Sequence, residues 1–586
     1  MARLVLGPML RYVGPEEATV WVETDGPCRV SVAAGRVAGE ARTFEVAGHF
    51  YALVPVHGLE PGGDPVPYLV VLDGERAWPP PAYGFPAPVI RPLHREGPTR
   101  LLFGSCRVAA PHDPPFTWSP DEDAWGFQRD AIFAYALRMM GRPPEEWPDL
   151  IFWCGDQVYA DELSPSMQAQ IDARRRRGIP GPGGEAVDFE EYTLLYHDSW
   201  SAPLVRWFLS VVPSAMVFDD HDVQDDWNTS LSYLKERRTE PWWPRKISSA
   251  YASYWIYQHA GNLAPAALHE DGVYNVVRPS MDGEREADLW PEFERFGLRA
   301  DVDRSSTRWS FCRDLERSKL VVIDSRGGRQ LDPGDRRMVD REEWAWIERE
   351  VAGDHDHLFL GTSLPWLMTP ALHDLESWNE AVAEGAWSPL AERLIGEKTR
   401  RAADLEHWPA FMQSFTELAE LVRAVGAGEH GRAPETIVAL SGDVHHAYLM
   451  EARYPADAGV RSNVWQAVCS PMRNPLSKRE QKLFRTVRTR PARALARRLR
   501  RSAGVADPAL DWEEVAGPSF DNQLATIEID GPKALLRVEK AVGHPVEPPK
   551  LEAWMERRLD AGSAGGADGG SPAGVTRPGR APATSR

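Results

Sequence analysis

Cysteine is scarce in this sequence. Cys28, Cys106, Cys154, Cys312 and Cys469 are scattered along 586 positions with no CxxC pair. An odd, dispersed set argues against a disulfide framework, and the lack of clustered Cys/His spacing argues against a structural zinc protein. Long apolar runs are missing too. No run of about 18 apolar residues occurs, so no membrane-spanning helix is expected. The opening stretch is short and broken by Gly7, Pro8 and Arg11. Neither a signal peptide nor a twin-arginine motif is read there, so a reduced, cytoplasmic protein is expected. Basic residues are in deficit, 67 Lys and Arg against 86 Asp and Glu. A net charge of −19 argues against nucleic acid as a stable partner, because phosphate contacts need Lys and Arg.

What is present suits a globular protein. A hydrophobic share of 43% can fill a sizeable core, and the length favours more than one domain. Residues 1–92 read as a small all-β sandwich of immunoglobulin or fibronectin type. In 18–24 apolar and polar residues alternate, as in a half-buried strand, while Asp25-Gly26 and Asp73-Gly74 mark turns. The prolines between 79 and 92 suggest a linker. From residue 98 the pattern becomes α/β. Short apolar runs at 99–103, 150–153, 211–218, 320–323, 358–360 and 437–440 read as strands covered on both faces. Helices are expected at 340–351 and 410–425, and further strands within 520–542. Residues 476–501 form a basic stretch containing Pro491. It reads as a solvated helical insertion or as a contact for an anionic surface, substrate or partner. The segment 561–586 is Gly, Ala, Ser and Pro without apolar period, and disorder is expected there.

Four strand candidates are followed by metal-ligand residue types. In open α/β sheets, loops beyond the carboxyl ends of strands converge on one site. The segments are Gly104-Ser105-Cys106-Arg107, Gly155-Asp156-Gln157-Val158-Tyr159, Asp219-Asp220-His221-Asp222 with Asp225 and Asp226 beyond, and Ser441-Gly442-Asp443-Val444-His445-His446. Singly, each has an ordinary reading: a buried small thiol, a turn aspartate, a solvated charge run, a loop histidine. Together they read differently. Several carboxylates at the end of a buried strand are costly unless cations neutralise them.

These segments, in this order, resemble the alkaline phosphatase D (PhoD-like) branch of the calcineurin-type metallophosphoesterases, in which Gly-Ser-Cys replaces the first Asp-x-His motif. The resemblance covers roughly residues 98–545, and the leading sandwich matches in character. It implies a four-layer αββα fold and phosphate-ester hydrolysis. It implies a ferric iron (Fe3+) and calcium (Ca2+) centre, with Cys106 and Tyr159 on iron, Asp156 bridging, and Asp220, Asp443 and His445 completing the shells. Thiolate and phenolate suit iron, and clustered carboxylates suit calcium. The expected mechanism is attack by a metal-activated hydroxide on phosphorus, with His221 as general acid oriented by Asp219 or Asp222, and Arg107 on a phosphate oxygen. Asp222 stands where the family usually has Glu, and Asp225 where many relatives have Asn. Both monoesters and diesters stay open as substrates. The alternative function is a non-catalytic metal-binding protein whose sandwich docks a partner.

Overall fold

The computed structural model describes residues 1–93, 97–388 and 392–560. The tail 561–586, expected to be disordered, lies outside the described residues. The first strands are β1 (Leu4–Val13), β2 (Glu17–Thr24), β3 (Arg29–Ala34), β4 (Val37–Arg42), β5 (Phe44–Val46), β6 (His49–His57), β7 (Val66–Leu72), β8 (Glu75–Trp78) and β9 (Val89–Ile90). They pair antiparallel as two sheets, β1-β2-β6-β5 and β4-β3-β7-β8, with β9 on β7.

The alternation in β2 promised one wet face, yet every residue from Ala18 to Thr24 is buried. The polar face is covered by the helices that follow. Glu23 accepts a hydrogen bond from Tyr257 (3.0 Å) and pairs with His197 (2.9 Å) and His49 (3.3 Å). Arg11, read as a break in an apolar run, is fully buried and donates to the carbonyl of Gln258 at 2.6 Å. The proline-rich stretch is not a free tether. β9 pairs with β7, and Trp207 Nε1 donates to the Pro86 carbonyl at 3.0 Å.

The remaining strands are β10 (Thr99–Gly104), β11 (Leu150–Trp153), β12 (Ser214–Met216), β13 (Phe311–Leu315), β14 (Ser318–Val322), β15 (His357–Gly361), β16 (Thr436–Ser441), β17 (Ala447–Arg453), β18 (Asn463–Val468), β19 (Asp511–Ser519), β20 (Gln523–Asp530), β21 (Lys533–Val542) and β22 (Lys550–Arg558). They form a six-stranded sheet, β12-β11-β10-β20-β21-β22, and a seven-stranded sheet, β13-β14-β15-β16-β18-β17-β19. The sheets face each other and carry helices outside, giving the αββα layering. Phe152 of β11 reaches to 2.7 Å from where a Cβ on Gly361 of β15 would sit, so that glycine lets the layers close. The pairings β10-β11-β12 and β14-β15-β16-β18 are parallel, so their carboxyl ends lie on one edge of each sheet.

The helices expected at 340–351 and 410–425 are Arg341–Glu350 and Met412–Ala427. Asp340 caps the first by accepting from Glu342 and Glu343 N–H, and Gly428 ends the second at φ 83°. The strand expected over 211–218 is wrong in its first half. Pro203–Val211 is a helix started by Pro203 and stopped before Pro213, and only Ser214–Met216 is strand. A short apolar run does not distinguish the two by period alone. The basic stretch forms two helices, Lys478–Val487 and Arg490–Ser502, with Pro491 in the first turn of the second. Among the described residues no helix is long and apolar enough to cross a membrane.

Candidate metal centre

Four loops leave the carboxyl ends of β10, β11, β12 and β16 and meet between the two sheets. Their backbones are strained where they meet. Cys106, Asp156, Asp443 and His445 adopt φ of 56°, 45°, 66° and 49°. Each non-glycine residue in that region costs roughly 1 kcal/mol or more, and such residues concentrate at functional sites. Gly155 (φ 130°) is required for a further reason. A Cβ there would lie 1.9 Å from Asp219 Oδ2. Gly442 is likewise closed in by Ser105 Oγ, 2.0 Å from its would-be Cβ.

The ligand atoms of Cys106, Asp156 and His445 lie within 4.8 Å of one another, as do those of Asp156, Asp219 and Asp220. Asp156 is common to both groups. Tyr159 Oη lies 3.4 Å from Asp156 Oδ2 and accepts from Asn474 at 3.3 Å. Asp220, His221 and Asp225 form a third group of the same size. Asp443 sits differently. Its carboxylate takes Arg326 Nη2 (3.0 Å) on one oxygen and His407 Nε2 (3.4 Å) on the other, while its carbonyl lies 3.6 Å from Cys106 Sγ.

Arg326 is fully buried and faces four carboxylates: Asp219 (2.8 Å), Asp220 (3.3 Å), Asp443 (3.0 Å) and Glu406 (2.5 Å). Arg329 adds a second charge on Glu406 (3.3 Å) and His407 one on Asp443 (3.4 Å), but these three cations do not neutralise four carboxylates together with Asp156. Burial accordingly pushes Asp156 and Asp219 far above the ordinary carboxylate range, and Asp220 up as well. Asp156 Oδ1 and Asp219 Oδ2 are buried without a hydrogen bond. Orphaned acceptors, excess negative charge and a thiol beside a phenol and an imidazole fit cations better than any other occupant. Burial raises the Cys106 thiol well above its usual value, and a coordinated thiol is deprotonated outright. His445 is pushed down by burial to about 4, so its ring is a neutral donor at physiological pH.

His221 lies beside this cluster, its ring 4.6 Å from that of Tyr159. Its orienting partner is neither Asp219 nor Asp222. Asp219 is taken by Arg326, and Asp222 accepts from Gln258 and from its own turn. Asp161 Oδ1 holds His221 Nδ1 at 2.8 Å instead. Burial disfavours the imidazolium, but Asp161, Asp220 and Asp156 outweigh it and hold the ring well above an ordinary histidine. Arg107 also departs from expectation. It is buried, paired with Asp130 at 2.8 Å, and donates to the Ser199 carbonyl at 3.1 Å. Those donors are engaged inside the protein.

Arg326, Glu406, His407 and Asp161 were not read from the sequence. Arg326 had a signal, since Asp324-Ser325-Arg326 follows β14 in the same strand-then-loop pattern as the other segments. Asp161 stands two residues beyond Tyr159 in a segment already singled out. Glu406 and His407 follow no strand and carry no local mark. Glu406 is held at about 2, burial being outweighed by Arg326 and Arg329, and His407 is raised to about 10 by Glu376 and Asp443 despite burial.

No curated protein matches the chain. A family model described as PhoD-like phosphatase matches residues 132–506, and a domain of unknown function, DUF7800, matches residues 1–90. Among solved structures the chain is similar to PhoD, at 11% identity over 94% of this chain and 88% of that one, with a TM-score of 0.56. A purple acid phosphatase, PPD1 from yellow lupin (Lupinus luteus) seeds, aligns at 10% identity over 97% and 77%, with a TM-score of 0.47. The PhoD-like model spans well over half of the sequence and contains the loops after β11, β12 and β16. The chain therefore belongs to the PhoD-like phosphatase family and is a phosphoric ester hydrolase.

Proposed function

We propose that hydrolysis is metal-dependent, with Cys106, Asp156, Tyr159, Asp220 and His445 holding the cations and His221 protonating the leaving alkoxide. The single observation that carries this reading is the position of Asp156, shared by two ligand groups next to an imidazole locked by Asp161. Bound cations would supply charge neutralisation on the phosphoryl oxygens and acidify a water. Ferric iron suits the thiol, phenol and imidazole side, and calcium the carboxylate side. Asp443 steadies the centre from outside, by tying Arg326 and His407 to it. Asp161 occupies Nδ1 of His221 and thereby leaves Nε2 as the atom that gives up a proton. Residues 1–92 act as one β unit attached to a catalytic unit of 98–545, rather than as a partner-docking arm.

The test pairs metal analysis with two leaving groups. His221→Ala should keep the metal stoichiometry and lose about 10²- to 10⁴-fold in kcat on alkyl phosphate esters. It should lose far less on p-nitrophenyl esters, whose leaving group needs no proton. The grouping of His221 with Asp220 and Asp225 favours a second reading, His221 as a ligand. In that case His221→Ala loses a metal and both substrates suffer alike. Full turnover of purified protein in excess chelator would remove the metal from the reaction.

A further inference from the structure

The two helices Lys478–Val487 and Arg490–Ser502 form a strongly basic surface on an acidic chain. Residues 478–501 carry eleven Lys or Arg and a single acid, Glu480. The second helix is buried on one side only. Ala496 and Arg500 face the protein, and Arg500 pairs with Asp374 at 2.9 Å. Its outer face repeats at three and four residues as Arg490, Arg493, Arg497, Arg498 and Arg501, all exposed. The first helix exposes Arg479 and Lys482 on one face. Arg479, Lys482, Arg493 and Arg497 have no carboxylate within ion-pair distance among the described residues. Two leucines also stand in water, Leu483 at 63% exposure one turn from Arg479 and Leu495 at 62% one turn from Arg498, on the flank of the basic face.

We propose that this two-helix face docks the enzyme on an anionic lipid bilayer. Charge alone would equally suit a soluble polyanion, and the leucines decide the choice. A bilayer takes up apolar side chains below its headgroups, whereas a soluble polyanion leaves them in water. The chain as a whole carries −19 and is repelled by such a surface, so this basic face leads the approach. The face is anchored beside the candidate centre. Arg488, in the turn between the helices, lies 2.9 Å from His446 Nε2, and the Phe484 ring is 5.0 Å from that of His446. His446 is the neighbour of His445. Docking therefore brings the centre alongside lipid phosphates. The proposal does not rest on the metal or general-acid reading, because binding is read without turnover.

The experiment is co-sedimentation of the full chain with vesicles of phosphatidylglycerol or of phosphatidylcholine alone. Binding is expected to the first and not the second, and to fall as salt is raised from about 0.1 to about 0.5 M, which shortens the Debye length from about 10 Å to about 4 Å. At about 1 kcal/mol per basic residue near the surface, R479E/K482E/R493E/R497E should weaken partitioning by about a thousandfold. L483S/L495S should weaken it by about tenfold or more and keep the salt dependence. Both variants should turn over a soluble ester as the parent does, which shows that they fold. Equal sedimentation with neutral vesicles overturns the proposal, as does binding that charge reversal leaves intact. Capture by soluble polyphosphate without capture by phosphatidylglycerol vesicles also overturns it, and makes the occupant a polymer.

Discussion

Arg326→Met tests the charge balance of the centre. Methionine keeps much of the volume and removes the charge that faces Asp219, Asp220, Asp443 and Glu406. Breaking a buried ion pair from one side costs about 3–5 kcal/mol, since the partner is left uncompensated. With about 2.1 cal/mol/K of unfolding entropy per residue, a loss near 4 kcal/mol over 586 residues lowers Tm by about 3 °C. That figure applies to protein stripped by chelator. With cations bound, part of the lost positive charge is already supplied, so the drop should be smaller. The pH dependence has a definite sign. In the parent, Glu406 is held at about 2, below its ordinary 4.5, so it contributes stability above pH 4.5 that is lost as pH falls towards 2. The variant should lose that term. Asp219 and Asp220, already raised by burial, should rise further, so that its stability falls as pH climbs above the ordinary carboxylate value. The assay is scanning calorimetry of parent and variant, each chelated and loaded, from about pH 2 to 8, which covers both the Glu406 window and the rise above the ordinary carboxylate value. An unchanged Tm in chelator, or the same drop in both states, would refute the argument that cations and Arg326 share one charge deficit.

Other outcomes follow from single contacts. Asp161→Asn should leave metal content intact and cut kcat on alkyl esters about ten- to hundredfold, measured by steady-state kinetics beside elemental analysis. Gly155→Ala drives a methyl into Asp219 and should lower metal occupancy in the folded protein, read by the same analysis. Arg107→Ala should destabilise the fold by removing the nearest cation of buried Asp130, which Arg473 at 4.0 Å only partly replaces, while KM for a phosphate ester stays near the parent value. His49 is raised from 6.5 to about 9, because Glu190 and Glu23 outweigh burial. Its pairing therefore stabilises the fold fully below pH 6.5 and is lost as pH rises through 9, a slope that denaturant titration should find absent in His49→Phe.

Much of the layered core was legible, because parallel strands buried on both faces read as bare apolar runs with their chemistry just beyond. β10, β11, β14, β15 and β16 were placed within about two residues, the ordinary boundary error. The helical block at 231–302 was not read. Much of it is buried on several sides, as in Trp243–Ser253, where the amphipathic period is blurred. At the centre, Cys106, Asp156, Tyr159, Asp220 and His445 could be read because each follows a strand. Their supporting residues were harder. Glu406 and His407 reach the site from a loop far along the chain, and only three-dimensional proximity gives them a role. Arg107 was misjudged because Asp130, its partner, lies 23 residues away with nothing local to link them.

Where β10 sits has a practical consequence for anyone wishing to cut the chain. It is an interior strand, flanked by β11 and β20, and it carries Cys106 on its outgoing loop. The matched segment, residues 132–506, contains neither β10 nor β20. A fragment trimmed to those limits would split the six-stranded sheet through its middle and discard the sulfur of the site. The span matched by the phosphatase model is thus narrower than the sheet on which the site is built.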